Sequence, residues 1–586
     1  MSSSIYPNGT IDAAADADSL PGTGELPPLN DRFIDDPRPL RLAVIGGGLA
    51  GILAGILLPV KVPALTVVIY EKNDDFGGTW LENVYPGVRC DTPSHVYQST
   101  FAPKTDWSGA FPPGSEIRDY WQSIARDYDV YRLAKFKHKV EAASWDATAG
   151  LWHLTVRNVD TQDTLSERFD FALTCIGRFN AWKLPNYPGI TKFKGLLRHT
   201  SNWDPSFDPK GKRVAVIGNG ASGVQVVPSL QKVVSRLDHY ARNETWLSPC
   251  STNEKGTSVA QQGLPESFTG TQEYMAFRKG IEDRSWRGFR SFFRGTEENA
   301  RLRERCMDSM RSRLAKKPEL LNEMIPNFSP NCRRLTPGPG YLEALAEDNV
   351  NYIRTPIKRF TDRGIETQDG AHREVDAIFC ATGADTDVAP QFCITAHGRD
   401  LRDLWKPGGE PGFPYTYLGL ATPGFPNLLF IHGPNGIGSS GTVPYTLETQ
   451  LTYVAKLLRK VSREGIKSMG PSPEAADDFT AYSDAFFRGT VFTDGCSSSY
   501  NGGRPGARIH GFWPGSAAHL AIVRRDPRWE DWEYQYLSGS GNRLLWYFGN
   551  GWTKKEGDPL SDMTQYLRDA RDIDLRDIHE SWWSLP

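Results

Sequence analysis

Leu42-Ala-Val-Ile-Gly46-Gly-Gly48-Leu-Ala-Gly51 is a short apolar run followed by a glycine pattern that opens an amphipathic stretch. Such a run is typical of a buried parallel strand, and the glycines allow the tight turn and close backbone approach that bring a pyrophosphate to a helix N-terminus. A second apolar run, Leu65 to Tyr70, ends at Glu71, twenty residues after Gly51. A carboxylate at this spacing binds ribose hydroxyls, so the stretch predicts a dinucleotide site in a doubly wound α/β sheet.

Arg213-Val-Ala-Val-Ile-Gly218-Asn-Gly220-Ala-Ser222-Gly223 repeats the pattern. The following strand, around Leu237 to Ala241, ends at Arg242 instead of at a carboxylate. An arginine at this position suits a 2′-phosphate, so the second site is expected to bind NADPH. The alternative at either place is a glycine-rich turn that binds nothing. Together the two patterns predict a two-cofactor oxidoreductase.

A third match, Gly436-Ile-Gly438-Ser-Ser-Gly441, follows the apolar run Asn427 to Ile431. Pro434 and further loop residues separate the run from the glycines, and no charged strand end follows at the right distance. This match therefore predicts a turn into a helix of about Tyr445 to Arg459, with its N-terminus near the cofactor.

Composition narrows the class of protein. A net charge of −3 over 586 residues gives no basic surface for nucleic acid. The eight cysteines are scattered, without a CxxC pair or metal-ligand spacing to histidine. They predict a reducing, cytoplasmic compartment, no metal site, and no redox disulfide of the flavin disulfide reductase kind. The apolar stretch Leu42 to Val60 contains five glycines and Pro59, so it is expected to be buried strand, turn and helix, not a membrane span.

The order of elements predicts two Rossmann-like dinucleotide-binding domains, the second inserted in the first, because strand–glycine endings recur at Gly177 and Gly383. The expected division is a mobile N-terminal extension (1–36), a first nucleotide domain (37–190 and 370–510), a second (191–250 and 331–369), a helical insertion capping the second domain (251–330) and a C-terminal extension (511–586). Seven tryptophans follow residue 510. They predict an extension anchored on the core, with a carbohydrate or aromatic-ligand site as the alternative.

Between the two glycine patterns lies Phe193-Lys-Gly195-Leu-Leu-Arg-His199-Thr-Ser-Asn-Trp203-Asp204. This stretch resembles the F-x-G-x-x-x-H-x-x-x-W-[P/D] signature of the type I Baeyer–Villiger monooxygenases, in the flavin-containing monooxygenase superfamily. The resemblance runs from about residue 40 to the C-terminus. The tail, with Pro527 to Trp532 and Gly549 to Thr553, is similar to fungal members of polyketide and aflatoxin-type pathways, which implies a role in secondary metabolism.

Further blocks carry the same resemblance. Gly77-Gly78-Thr79-Trp80, continuing to Asp91 with Tyr97 beyond, looks like the family's flavin-side block, and Gly424 to Pro434 looks like its last flavin-domain strand. The resemblance implies FAD at the first glycine pattern and NADPH at the second. It also implies that a C4a-peroxyflavin, formed with O2, inserts one oxygen beside the carbonyl of a small-molecule ketone to give an ester or lactone.

The implied chemistry points to particular residues. A peroxide that must stay an anion needs a partner that stays positively charged, and guanidinium is the side chain that does so. Arg334 matches the family's catalytic arginine, with Arg333 as the neighbouring alternative, and Asp91 matches the carboxylate that pairs with it. Without the family pattern, Arg334 would be a surface arginine and Asp91 a turn residue. His199 is expected to couple cofactor exchange to domain movement, with a structural hydrogen-bonding role as the alternative.

The sequence departs from the family in the loop that closes over the nicotinamide. Ser499 stands at the position of the family's tryptophan, with Tyr500 beside it. Two other functions stay open: oxygenation of a nitrogen or sulfur atom by a hydroperoxyflavin, and nucleotide binding without catalysis. Local spacing encodes neither the identity of the ketone nor the oligomeric state.

Overall fold

The computed structural model describes residues 29–179, 181–249, 268, 270–384, 390–537, 542–576 and 578. The larger of its two units comprises Pro37–Ser462 and Ile466–Gln535. The smaller comprises the described parts of Met1–Asp36, Arg463–Gly465 and Tyr536–Pro586. Both glycine patterns and every candidate site residue belong to the larger unit.

A five-stranded parallel sheet carries the first glycine pattern. Numbered in chain order, its strands are β1 (Leu40–Ile45), β2 (Leu65–Tyr70), β3 (Ala134–Lys135), β7 (Phe171–Thr174) and β18 (Leu428–Phe430). They lie in the order β18-β7-β1-β2-β3. The helices that follow its first strands are α1 (Leu49–Lys61), α2 (Thr79–Glu82) and α3 (Gly114–Asp127). Leu42, Ala43 and Val44 are fully buried, because helices cover both faces of such a sheet.

A second five-stranded parallel sheet carries the second glycine pattern. Its strands are β8 (Leu196–His199), β9 (Arg213–Ile217), β10 (Arg236–Tyr240), β11 (Val350–Ile353) and β15 (Ala377–Cys380), and α4 (Ala221–Gln231) follows β9. They lie in the order β11-β10-β9-β15-β8, and all five come between β7 and β18 in the chain. The Phe193–Asp204 stretch forms the edge strand β8, and Trp203 stacks on Phe379 of β15 with ring centroids 4.2 Å apart.

The chain returns from the second sheet to the first after residue 380, later than the predicted boundary at residue 370. β15 pairs with β8 and β9, so the strand that ends before Gly383 belongs to the second sheet. The repeated strand–glycine ending does not reveal which sheet a strand joins, since pairing partners are set by contacts distant in sequence.

Three further sheets and nine further α-helices complete the described fold, together with short 3₁₀ turns. The strands are β4 (His138–Asp146), β5 (Leu151–Asn158), β6 (Thr164–Phe169), β12 (Ile357–Phe360), β13 (Gly364–Thr367), β14 (His372–Glu374), β16 (Cys393–Ala396), β17 (Arg399–Asp400), β19 (Ile466–Pro471) and β20 (Trp532–Tyr536). They form sheets with the orders β17-β16-β4-β5-β6, β12-β13-β14 and β19-β20. The helices are α5 (Thr271–Arg287), α6 (Glu297–Arg313), α7 (Leu320–Met324), α8 (Tyr341–Leu345), α9 (Leu401–Trp405), α10 (Val443–Glu464), α11 (Pro473–Phe487), α12 (Ala517–Val523) and α13 (Leu544–Phe548). No helix in the described ranges has the length and apolarity needed to cross a membrane.

In the charged segment predicted to cap the second domain, the described residues include the helices α5, α6 and α7; residues 251–267 and 269 lie outside the described residues. Met310 of α6 is buried in the core of the second sheet. α5 instead contacts the first nucleotide-binding half, where the Tyr274 hydroxyl donates to the Lys104 carbonyl at 2.8 Å. The segment therefore contacts both halves of the larger unit.

The C-terminal extension, predicted to begin at residue 511, is divided between the two units. The division falls after residue 535. Residues 511–535 belong to the larger unit, in which Trp513 is 2% exposed and Trp532 is 4% exposed. In the smaller unit, Trp552 is 56% exposed. Trp582, Trp583 and residues 1–28 of the predicted N-terminal extension lie outside the described residues.

Candidate active site

The first glycine pattern forms a tight turn between β1 and α1. Gly46 has φ +110°, and a Cβ there would lie 2.7 Å from the Cys175 carbonyl oxygen. A Cβ on Gly51 would lie 2.0 Å from the Gly46 oxygen, so neither position accepts a side chain. Around Gly48 only the Gly78 Cα comes within 4 Å of a Cβ, at 3.6 Å, among the described residues. The backbone at the N-terminus of α1 is thus open to a pyrophosphate.

Glu71 follows β2 and is tied to this turn. It is 4% exposed. Its Oε2 accepts a hydrogen bond from the Gly47 amide at 2.6 Å, and its Oε1 accepts two from Asn73, both at 2.8 Å. Burial raises the pKa of Glu71, and the amides of Asn73 and Gly47 oppose that rise. The carboxylate lies where a ribose-binding acid is needed.

The predicted flavin-side block lies against the same turn. Gly78 precedes α2, the single turn that begins at Thr79, and a Cβ on Gly78 would approach the Gly48 Cα to 2.9 Å. Trp80 is 9% exposed and packs edge-on against Tyr97, with ring centroids 5.8 Å apart. Burial raises the pKa of Tyr97. The block therefore places two aromatic rings beside the first glycine pattern.

The second glycine pattern repeats this construction. Gly218 has φ +108°, and a Cβ there would lie 2.4 Å from the Ala381 oxygen. A Cβ on Gly223 would lie 2.0 Å from the Gly218 oxygen. No described atom lies within 4 Å of a Cβ on Gly220, and Ser222 is half-buried in the first turn of α4. A second helix N-terminus is thus open to a phosphate.

Two arginines lie close together near the carboxyl end of β10. Arg242 is exposed, two residues beyond the strand. Arg333 donates to the Glu244 carbonyl at 3.2 Å. Burial and the charge of Arg242 lower the pKa of Arg333. A 2′-phosphate at Arg242 would relieve this repulsion, which fits NADPH at the second site.

Arg334 forms a two-fold hydrogen-bonded ion pair with Asp91. Its Nε donates to Asp91 Oδ2 at 2.8 Å and its Nη2 donates to Asp91 Oδ1 at 2.6 Å, with a further bond to Thr92 Oγ1 at 3.2 Å. The charge of Asp91 raises the pKa of Arg334, against the effect of burial. Burial acts against ionisation of Asp91, but the charge and hydrogen bonds of Arg334 outweigh it and lower the pKa of Asp91. Both groups stay ionised at neutral pH.

The guanidinium of this pair is accessible, whereas its carboxylate partner is mostly covered. On the Arg334 side chain 52% of the surface is accessible, compared with 20% on that of Asp91. Asp91 comes from the segment after the first glycine pattern and Arg334 from the segment before α8. The pair therefore joins the two halves that carry the glycine patterns.

A disulfide between Cys332 and Cys496 attaches the Arg334 segment to a loop 164 residues further on. The scatter of cysteines did not predict this pairing. Five other described cysteines are free thiols, and Cys250 lies outside the described residues. The disulfide fixes the beginning of the loop that contains Ser499 and Tyr500.

Tyr500, one residue after the position of the family's tryptophan, is the buried aromatic residue of this loop. It is 8% exposed and packs against Phe512, with ring centroids 4.4 Å apart. Its carbonyl accepts from the amides of His510 and Gly511 at 2.9 and 3.0 Å. Burial raises the pKa of the Tyr500 phenol, and the charge of Arg334 opposes that rise. The phenol is therefore close to the Arg334–Asp91 pair.

The third glycine pattern is a turn into α10, which begins at Val443, and Asn435 ahead of it anchors this loop. The Asn435 amide nitrogen donates to the His510 carbonyl at 2.7 Å, and its side-chain nitrogen donates to the Phe512 carbonyl at 2.7 Å. The turn thus serves to hold the loop after Tyr500 in place.

His199 forms hydrogen bonds on both ring nitrogens. Its Nε2 lies 3.1 Å from the Gly383 carbonyl, and its Nδ1 accepts from the Ser201 amide at 3.1 Å. The ring is 1% exposed and stacks on Trp182 with centroids 5.6 Å apart. This is the structural role named as the alternative, and the hinge role stays a prediction.

Two residues at the site were missed by sequence reasoning. Arg178 follows β7 and His432 follows β18, and both strands end at the same edge of the sheet as β1. Burial and the charge of Arg178 lower the pKa of His432 to about 3. The available signal was the rule that ligands bind at the carboxyl ends of parallel strands.

The protein has two parallel sheets, each followed by a helix whose N-terminus is open to a phosphate, and an ion pair joins the two halves. These features define an α/β protein of the class of oxidoreductases that bind two dinucleotides. The flavin-binding monooxygenase-like family model matches residues 40–259. A relative from Aspergillus terreus, named FAD-binding monooxygenase tazF, is 33% identical over 549 residues, covering 91% of this chain and 95% of the relative. The chain belongs to this family of FAD-binding monooxygenases.

Two further comparisons agree with this membership. A protein of Streptomyces coelicolor named Baeyer–Villiger monooxygenase is 31% identical over 511 residues, covering 85% of this chain and 93% of that protein. The crystal structure of cyclohexanone monooxygenase from Rhodococcus sp. Phi1 bound to NADP+ is similar with a TM-score of 0.71 and 25% identity, covering 85% of this chain and 100% of that one.

Proposed function

We propose that this protein is a Baeyer–Villiger monooxygenase that uses FAD, NADPH and O2 to insert one oxygen atom beside the carbonyl of a small-molecule ketone. The observation that carries the proposal is the Arg334–Asp91 pair, which has hydrogen bonds of 2.8 and 2.6 Å, an accessible guanidinium, and one member from each of the two glycine-bearing halves. A cytoplasmic location stays a prediction, and the oligomeric state stays open.

The described residues fit both cofactors. Gly46, Gly48 and Gly51 with Glu71 would hold the pyrophosphate and ribose of FAD, and the block that includes Gly78, Thr79, Trp80, Asp91 and Tyr97 would flank its ring system. Gly218, Gly220, Ser222 and Gly223 would hold the pyrophosphate of NADPH, with Arg242 at its 2′-phosphate. The backbone fits these groups for two reasons. The tight turns at Gly46 and Gly218 leave no room for a side chain, and at Gly48 and Gly220, beside the helix N-termini, no side chain blocks a phosphate. FAD held there would, once reduced by NADPH, activate O2 as the source of the inserted oxygen atom.

In this proposal Arg334 places a permanent positive charge where negative charge develops on oxygen. Its raised pKa keeps the guanidinium protonated throughout the working pH range. A preorganised charge or donor of this kind is worth about 2.7–4 kcal/mol in barrier height, judged from the loss of one oxyanion donor. Asp91 acts as a positioning residue, since two hydrogen bonds from one guanidinium fix its plane.

The same pair favours ketone oxygenation over oxygenation of nitrogen or sulfur. A soft nucleophile attacks a protonated oxygen donor, which needs no fixed cation beside it. A ketone requires an attacking oxygen that carries negative charge, and this is what Arg334 stabilises. Retention of the paired charges also argues against a binding protein without catalysis.

The proposal is tested with the purified holoenzyme, NADPH, ¹⁸O2 and matched panels of ketones and thioethers. We expect NADPH-dependent esters or lactones that contain one ¹⁸O atom. If thioethers gave sulfoxides while cyclic, linear and aromatic ketones all gave no ester or lactone, the result would contradict the proposal and support oxygenation of nitrogen or sulfur.

A further inference from the structure

Arg178 is a half-buried cation that the proposed chemistry does not use. It lies four residues beyond β7, at the strand edge that carries the first glycine pattern. One of its nitrogens, Nη1, donates to the Gly511 carbonyl. Burial lowers the pKa of the Arg178 guanidinium to about 10, so the side chain is still charged at neutral pH.

No carboxylate neutralises this charge within the part of the chain that the structure describes. The hydrogen bond to Gly511 is its contact there, and the Tyr500 phenol is the ionisable group that raises its pKa. Even partial burial of an arginine without a counter-ion is unfavourable, so such a residue is typical of a site that receives an anion. Among the described residues its Nε and Nη2 have no hydrogen-bond acceptor, so they are free to donate to a ligand.

The neighbours of Arg178 do not supply the missing negative charge. Burial and the charge of Arg178 lower the pKa values of both His432 and His510 to about 3, so both rings are neutral at pH 7. The phenol of Tyr500 is neutral as well, since burial raises its pKa. Because none of these described neighbours supplies a negative charge, a bound ligand is the expected source of it.

His510, which is close enough to Arg178 to feel its charge, also lines a cavity of about 260 Å³ together with Phe413, Arg504 and Arg508. The charge of Arg508 is taken up by Asp484, at 2.6 Å. Arg504 is exposed, so the cavity presents positive charge to solvent. An anion entering here meets a favourable potential.

The anion expected at Arg178 differs from the cofactor phosphates. Those are accounted for by the helix N-termini at Gly48 and Gly220 and by Arg242. Arg178 instead lies with Tyr500, whose phenol is close to Arg334. This is the side of the site on which a ketone must sit if Arg334 acts on the oxygen that attacks it.

We propose that Arg178 binds a carboxylate of the substrate, so that the preferred substrates are ketones that carry an acidic group. This inference rests on the proposed function. A guanidinium–carboxylate contact distinguishes a keto acid from its methyl ester because the ester leaves the half-buried cation unpaired.

The test uses 4-acetylbenzoate and methyl 4-acetylbenzoate with the holoenzyme, and its readout is the ratio of kcat/KM for the acid to that for the ester. We expect Arg178→Met to lower this ratio about 10- to 150-fold, the factor that corresponds to one charged hydrogen bond. Arg178→Lys should keep part of the preference, since it retains the charge. Arg359→Met, which removes an exposed cation in the three-stranded sheet, serves as the matched control.

A binding measurement accompanies the kinetics and needs no turnover. Benzoate should perturb the absorbance of the bound flavin in the wild type more strongly than benzamide does, and Arg178→Met should abolish the difference. An unchanged ratio together with an unchanged benzoate response overturns the role of Arg178, even if both ketones are oxygenated. A protein that binds benzoate through Arg178 but forms no ester from any ketone retains this site and contradicts the proposed function instead.

Discussion

Asp91→Ala is the substitution that isolates positioning of Arg334 from its charge. It removes both acceptors of the guanidinium, at 2.8 and 2.6 Å, and leaves Arg334 itself in place. The freed side chain will sample other rotamers, because the bond to Thr92 Oγ1 at 3.2 Å is its other side-chain contact in the described structure. We therefore expect slower oxygen transfer, with flavin reduction preserved.

The magnitude follows from the hydrogen bonds that are lost. A hydrogen bond to a charged group is worth about 1.5–3 kcal/mol. Because 52% of the Arg334 side-chain surface is accessible, water replaces part of what is lost, and we count one bond instead of two. At 1.36 kcal/mol per factor of ten, kcat for ester formation should fall about 10- to 150-fold.

The assay follows NADPH, ester and hydrogen peroxide in the same reaction. In Asp91→Ala, NADPH consumption should continue while ester yield falls and peroxide rises. The KM for NADPH should change less than about twofold, or about 0.4 kcal/mol, since Asp91 belongs to the half that would bind FAD. The matched control is Glu343→Ala, which removes the acceptors of an equivalent two-bond pair to Arg313, at 2.8 Å each, that has no part in the proposed cofactor contacts. Ester formation within about twofold of wild type in Asp91→Ala, at full flavin content, would refute the reasoning.

Three further predictions concern the cofactor, pH and the disulfide. Arg242→Ala should lower kcat/KM for NADPH about 10- to 100-fold, as for loss of a charged hydrogen bond, and hardly affect NADH; Arg359→Ala is the control, and equal losses with both coenzymes would contradict the assignment. Burial lowers the pKa of His239 to about 4, so between pH 6.5, its ordinary pKa, and about pH 4 the unfolded chain binds a proton that the folded chain does not. The contribution of His239 to stability is therefore complete above pH 6.5 and is lost at up to about 1.4 kcal/mol per pH unit down to about pH 4. Urea unfolding in which His239→Phe and wild type show the same dependence of unfolding free energy on pH would contradict this. Peptide mapping without reductant should recover Cys332 joined to Cys496, and replacing both with serine should lower the free energy of unfolding by up to about 5 kcal/mol for a 164-residue separation; two free thiols in the native enzyme would contradict the pairing.

The parts of the fold that were predictable from sequence are those fixed by local rules. The bounds of β2, Leu65–Tyr70, agree with the prediction, because a strand buried on both faces is a continuous apolar run that ends at a functional polar residue. β10 spans Arg236–Tyr240, so each of its ends lies one residue before the predicted one. The glycine turns were predictable as well, since Gly46 and Gly218 both adopt positive φ at the end of an apolar strand.

The remaining features depend on contacts between distant segments. The Cys332–Cys496 disulfide joins residues 164 positions apart, and no local spacing marks such a pair. The membership of β15 in the second sheet is likewise set by its partners β8 and β9. Arg178 was missed because its significance lies in the missing counter-ion, which only the surrounding side chains reveal.

The most direct measurement of the central claim is the amount of ester formed per NADPH consumed by Arg334→Ala, compared with wild type at equal flavin content. If Arg334 stabilises negative charge on the attacking oxygen, ester formation should fall about 100- to 1000-fold while NADPH is still oxidised and hydrogen peroxide accumulates. Ester formation by Arg334→Ala at a rate close to that of wild type would contradict the account.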